Sequence, residues 1–192
     1  AIEEHSVSEK IIGENLDKII GTYRKTRMVV STFASNVGRI IQIINSAIKY
    51  DKVVFLAWRS MVANVQLCQE LGYINSPKGM IRQLTIEAES MPDEKVLVLC
   101  TWSQGEENSA LVRMAKWEVK DFMLRPWDSV LLSSHTIPGN EKAVVGMIND
   151  LVKIWVDVID EPGLDTHTSW HGCQEDLKMM MSLLNPEYFC PI

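Results

Sequence analysis

Five short runs of consecutive apolar residues, each followed by a segment of helical spacing, constrain this chain more than any other feature. The runs are 27–33, 52–57, 95–101, 129–133 and 156–159. Arg27-Met-Val-Val-Ser-Thr-Phe33 and Lys95-Val-Leu-Val-Leu-Cys-Thr101 are rich in β-branched residues and do not alternate with polar ones. A strand that is apolar on both sides must be covered on both faces. The segments between them carry apolar residues every three or four positions. In 35–50, for example, Ile40, Ile41, Ile43, Ile44 and Ile48 fall on one stripe. Further helices are expected over 8–23, 60–71, 109–115, 140–153 and 174–184, the last stopped by Asn185-Pro186. Strand and helix in strict alternation imply an α/β fold with a mostly parallel sheet flanked by helices. Residues 73–94, with Pro77, Gly79 and Pro92, read as a loop-rich excursion.

At 192 residues and 46% hydrophobic, the chain can build one sizeable core. Its net charge of −6 gives no bulk attraction to nucleic acid, so any such contact must come from a local site. The four cysteines are scattered without a CxxC pair, which suggests buried free thiols in a reducing cytoplasm rather than a zinc ribbon or disulfides. No apolar run reaches the length of a membrane span, and nothing at the start has a signal-peptide pattern. A cytoplasmic protein with no membrane partner is expected. The chain opens on Ala1 and closes on Tyr188-Phe-Cys-Pro-Ile192, and both ends read as cuts inside a longer protein.

In parallel sheets ligands gather beyond the carboxyl ends of the strands. Four polar loops fall there: 31–36, 101–105, 133–141 and 167–172. The last, His167-Thr-Ser-Trp-His-Gly172, offers two imidazoles and two hydroxyls within six residues. Hydroxyls and loop N–H groups can cradle a phosphate, and imidazoles can move protons near neutral pH. Neither GxGxxG nor GxxxxGK[ST] is present, so dinucleotide and P-loop sites are not indicated. Plainer roles compete: helix capping for Ser35 and Asn140, and for His171 at the helix that follows it; solvated charge for Glu3-Glu4 and Glu106-Glu107; core packing for Met179–Met181. His5 shows no partner pattern.

The loops, taken in order, resemble ribonuclease J, a metallo-β-lactamase-fold nuclease with an inserted β-CASP domain. The resemblance is carried by Thr32-Phe-Ala-Ser-Asn36, Ser103-Gln-Gly105, Ile137-Pro-Gly-Asn-Glu-Lys-Ala-Val144 and His171-Gly-Cys-Gln-Glu175, and by the closing 185–192. It implies a Rossmann-like β-CASP domain over 26–184. Residues 1–25 would be a helix and link from the metallo-β-lactamase domain, and 185–192 the start of the return strand. It further implies a zinc-dependent 5′-exo/endoribonuclease whose two Zn²⁺ ions are bound mainly by the missing domain. The HxHxDH metal motif is absent, so no metal ligand is expected in this segment and no activity from it alone. His171 would face the scissile phosphate as the catalytic histidine. Ser134, His167 and Ser169 would hold the 5′-monophosphate of the RNA. Ser35, Asn36, Ser103, Gln104 and Gly105 would shape the RNA channel. His135 stands where the family commonly has a small residue. The expected partners are RNA, the metallo-β-lactamase domain and further copies in a homo-oligomer. Rival readings are a non-catalytic α/β RNA- or ligand-binding module, and a β-CASP nuclease acting on DNA or on mRNA 3′ ends.

One pattern departs from the resemblance. All six tryptophans, at 58, 102, 117, 127, 155 and 170, align with glycines of the family pattern. Trp127 lies in Pro126-Trp-Asp128, where turn chemistry favours glycine, and Trp155 lies at a helix end before a strand. A tryptophan translated from a UGA codon that the source organism reads as glycine would account for all six.

Overall fold

The computed structural model describes residues 5–101, 109–134, 136–159, 165–166 and 172–190. They form β1 (Met28–Thr32), β2 (Val53–Leu56), β3 (Ile81–Gln83), β4 (Val96–Thr101), β5 (Ser129–Leu132) and β6 (Asp157–Ile159). The helices are α1 (Glu9–Thr22), α2 (Val37–Lys49), α3 (Arg59–Glu70), α4 (Glu87–Ser90), α5 (Ala110–Ala115), α6 (Glu141–Lys153) and α7 (Gln174–Leu184). The six strands make one sheet in the order β3-β2-β4-β1-β5-β6, and every pairing is parallel.

The continuous apolar runs are explained by what covers them. On one face Met28, Val30, Val54, Leu56, Leu97, Leu99 and Leu131 pack against the apolar stripes of α1, α2 and α3. On the other, Val29, Val53, Phe55, Val96, Val98 and Val130 pack against α5, α6 and Phe122. Successive strand residues thus alternate between two cores, both dry. Each fully buried Ile or Leu in these layers contributes about 1.5–3 kcal/mol, which fixes the register of β1 against its neighbours. That register sets Met28 opposite both Leu97 and Ser129.

Three expectations change. The excursion at 73–94 contains an edge strand, β3, which pairs with β2 through Val54–Leu56, and the short helix α4. Its residues are only partly buried, so the apolar signal of the other strands is missing. Met179 and Met180 are exposed, and α7 has no buried residue, so this helix is not core. Three cysteines are buried thiols, but Cys190 is exposed. Burial pushes the Cys100 thiol up to about 12, which leaves it inert as a nucleophile. Among the described residues no helix is long and apolar enough to cross a membrane.

Candidate functional site at the carboxyl edge

β1 lies between β4 and β5, so the loops leaving these three strands start side by side. Thr32 is level with Thr101, and Ser31 with Leu132. After β1 the chain turns tightly, the Asn36 N–H donating to the Phe33 carbonyl at 3.0 Å, and enters α2. The Asn36 side chain, not that of Ser35, caps this helix: its Oδ1 accepts the Arg39 N–H at 3.1 Å. Ser35 is exposed on the outside of the turn. Asn140 occupies the first cap position of α6 without a side-chain cap bond.

After β5 the pairing runs one residue further, Ser133 N–H donating to the Ser31 carbonyl at 2.9 Å. Ser134 follows. It is 9% exposed, and its hydroxyl has no hydrogen-bond partner among the described residues. A buried hydroxyl left unpaired costs about 1–3 kcal/mol, so its place at a strand end marks a position that a ligand can complete.

The centre of this edge is Arg39, whose side chain is fully buried. Its Nη1 donates to Ser133 Oγ at 2.8 Å and to the Thr166 carbonyl. Its Nη2 donates to both Glu9 carboxylate oxygens at 3.1 Å. Ser133 Oγ donates to the same Thr166 carbonyl at 2.7 Å, and Thr166 Oγ1 donates to the Leu132 carbonyl at 3.3 Å. Asn15 on α1 holds the Asp165 carbonyl at 3.0 Å. Residues 165–166 are therefore clamped to α1, α2 and β5 at once.

A second clamp holds the chain on the far side of 167–171. Asp176 Oδ2 accepts the N–H of Cys173 at 3.0 Å and the N–H of Ser6 at 2.9 Å, and its Oδ1 meets His5 Nδ1 at 3.0 Å. The Ser6 hydroxyl bond, with those from His5 and the two amides, holds the Asp176 carboxyl well below the usual carboxylate range. His5, which has no signal in the sequence, thus has a structural partner.

His167, Ser169, His171, Ser103, Gln104, Gly105 and His135 lie outside the described residues, as do Trp102 and Trp170. Of the sequence-derived candidates, Ser134, Ser35 and Asn36 are placed, all at the carboxyl edge. Sequence reasoning missed Arg39, Ser133, Thr166 and Asp176. Apart from the Cys173 N–H that Asp176 accepts three residues away, their partners are 30 to 171 residues away along the chain, too far apart for local spacing to reveal them.

This architecture matches a known family. Residues 25–151 match the model of the ribonuclease J β-CASP domain. The chain belongs to the ribonuclease J family. It is 38% identical to ribonuclease J 1 of Streptococcus pyogenes over 96% of this chain and 33% of that protein. It is 37% identical to ribonuclease J of Mycoplasma pneumoniae and 39% identical to that of Thermus thermophilus. Each of these matches covers 97% of this chain, and 33% and 32% of the relative. The chain therefore spans about a third of the length of these ribonuclease J relatives. The residues matched by the β-CASP model include strands β1 to β5 of the all-parallel, helix-flanked sheet described above.

Proposed function

We propose that this chain is the RNA-binding and partial active-site portion of a cytoplasmic, zinc-dependent ribonuclease that prefers RNA with a 5′-monophosphate. The observation that carries the reading is the buried, unpartnered Ser134 hydroxyl. It stands one residue beyond Ser133, which is bonded to the chain leading into His167–His171. In this reading Ser134, His167 and Ser169 donate hydrogen bonds to the terminal phosphate. His171 faces the scissile phosphate and delivers a proton to the leaving oxygen. Ser35, Asn36, Ser103, Gln104 and Gly105 line the path of the RNA. With net charge −6, affinity must come from such local donors rather than a general field.

Among the described residues, no three His, Cys, Asp or Glu side chains stand together closely enough to hold a metal. These residues do not fit a zinc centre. In this reading the two zinc ions belong to the rest of the protein, and this chain without it does not cleave RNA. The exposed apolar residues of α7 and the segment after it, including Leu183, Leu184, Tyr188 and Phe189, suit docking against that remainder. The full protein is expected to form a homo-oligomer.

The test uses the full-length protein. Matched RNAs carrying a 5′-monophosphate or a 5′-hydroxyl are compared for rate, and metal content is measured by mass spectrometry. The monophosphorylated RNA should be degraded at least about tenfold faster, as expected for losing one charge-assisted contact set of about 1.5–3 kcal/mol. H171A should lower kcat on both substrates. Equal rates on the two RNAs, or no bound metal, would sink the reading.

A further inference from the structure

All four tryptophans among the described residues have positive φ: 79° at Trp58, 57° at Trp117, 73° at Trp127 and 61° at Trp155. Only two other non-glycine residues among the described ones do so, Asp51 and Asn185, both of types that tolerate this region. Positive φ occurs at a few per cent of non-glycine positions and is a true outlier for a bulky side chain, so four of four by chance is on the order of one in a million.

Each of the four sits in a local structure that calls for glycine. Trp117 and Trp155 follow the caps of α5 and α6. At α5, Trp117 N–H bonds the Met114 carbonyl and Glu118 N–H the Arg113 carbonyl. At α6 the bonds run from Trp155 to Val152 and from Val156 to Leu151. This paired pattern is the Schellman helix ending, whose left-handed position is usually glycine. The same pattern ends α3, with Gly72 at φ 75° in the corresponding place. Trp127 is the third residue of the turn Arg125-Pro-Trp-Asp128, closed by Asp128 N–H to the Arg125 carbonyl at 3.2 Å. Proline second and positive φ third define a type II turn, which selects glycine there. Trp58 precedes α3 at φ 79° and ψ 144°, close to a region essentially restricted to glycine.

The indoles do little to offset this strain. Trp117, Trp127 and Trp155 are 57%, 73% and 69% exposed. Trp58 alone packs, against the core and under the Arg113 guanidinium at 5.3 Å.

We propose that positions 58, 102, 117, 127, 155 and 170 are glycine in the protein its source cell makes, each encoded by UGA. The codon differs from the glycine codon GGA at one base, so a glycine tRNA with a single anticodon change would read it. Positions 102 and 170 join the set because they complete the tryptophans of the chain. A glycine between Ser169 and His171 leaves the loop backbone without a side chain to block close approach of a ligand. The nucleotide sequence and a tryptic digest of cell-derived protein test the proposal together. Peptides 53–59, 117–120, 121–142 and 154–178 carry five of the positions and 96–113 the sixth. UGA at all six codons and glycine masses in every peptide are expected. A UGG codon, or a tryptophan mass at any of the six, overturns it.

A different observation carries a second inference, which rests on the proposed function. The geometry assigns Arg39 as a positioning residue for the 5′-phosphate pocket. Among the described residues it touches no candidate phosphate ligand itself. It joins Ser133, the neighbour of Ser134, to Thr166, the neighbour of His167, and anchors both to Glu9. Among the described residues its Nε has no partner, and neither has the hydroxyl of Ser134, the residue that follows Ser133. In the full-length protein, R39K keeps the charge but loses the fork that spans the two loops. KM for 5′-monophosphate RNA should rise about tenfold with kcat unchanged, and KM for 5′-hydroxyl RNA should not move. S133A, which removes one link and leaves the buried charge paired with Glu9, should give a smaller rise in the same direction. If wild-type protein prefers 5′-monophosphate RNA and both variants keep that KM, the inference fails. If wild type has no such preference, the functional reading beneath it fails first.

Discussion

Arg27 and Arg39 are both fully buried beside β1, one at its amino end and one near its carboxyl end, yet they are finished differently. The Arg27 guanidinium is satisfied on every nitrogen. Nε and Nη2 grip Asp128, Nη1 reaches Glu89 at 3.1 Å, Nη2 also meets the Met123 carbonyl, and the plane stacks on Phe122 at 4.3 Å. Burial works to lower its pKa, but the bonds and charges of Asp128 and Glu89 outweigh that and raise it. Among the described residues Arg39 keeps Nε unpaired, and the Ser134 hydroxyl, one residue beyond its partner Ser133, has no partner either. The amino edge is complete within this chain and serves stability. The carboxyl edge carries buried polar groups with no partner among the described residues, and it is there that the proposed reading puts the substrate.

The largest effect should come from breaking the finished edge. R27M removes one side of a buried pair and leaves Asp128 without its guanidinium partner, while Glu89 keeps Arg125. It should cost about 3–5 kcal/mol, read as a fall in the urea midpoint with unchanged slope. If R27M and R39M cost the same, the contrast between the two edges is wrong.

Next come the helix ends, where the comparison is between α3 and its neighbours. Gly72 ends α3 without strain, whereas Trp117 and Trp155 make the same turn with a side chain. Replacing either tryptophan by glycine in the chain as written should therefore stabilise it by about 1–2 kcal/mol. Gly72→Ala should destabilise it by about the same amount. W58G should gain less, because the indole packs on the core. Thermal unfolding of the single variants checks this, and a loss of stability in W155G would remove the physical ground for the glycine proposal.

Smaller again is the contrast between two neighbouring serines. Ser133 Oγ is bonded on both sides, to Arg39 and to Thr166, whereas Ser134 Oγ has no partner among the described residues. S133A should cost about 1 kcal/mol and S134A close to none or a slight gain. If S134A proved as costly as S133A, the Ser134 hydroxyl would have a structural partner after all and would no longer mark the pocket.

These contrasts show how differently the parts of the molecule are written in sequence. The strands β1, β2, β4 and β5 are legible because burial on both faces demands uninterrupted apolar residues. β3 is not, since an edge strand paired through backbone alone leaves Ile81, Arg82 and Gln83 partly exposed. The turns leaving β1 and β5 at the carboxyl edge are legible from strand direction. Arg39 is hidden. An arginine on the first turn of a helix after a cap residue reads as surface charge until the fold brings Ser133 and Thr166 to it from 94 and 127 residues away. The tryptophans stand between these cases. Turn chemistry alone raises the objection at Trp127 and Trp155, but only the dihedral angles extend it to Trp58 and Trp117.

The smallest expected effect is at the second anchor of the 167–171 segment, and it separates the carboxyl edge into two halves. Arg39 holds the entry at Thr166 with a buried charge, whereas Asp176 holds the exit at Cys173 from a half-buried position. Because the folded state holds the Asp176 carboxyl below its unfolded value of about 3.8, its contribution is fully present above that pH. It is lost as pH falls through the folded value. The loosening should be local: faster amide hydrogen exchange at Ser6 and Cys173 on acidification, with the β1 amides unmoved. D176N should show the fast exchange already at neutral pH and lose its dependence on acid. If Ser6 and Cys173 exchange at the same rate in wild type and D176N, the exit is held by the packing of α7 rather than by this carboxylate, and only the Arg39 half of the edge is electrostatically anchored.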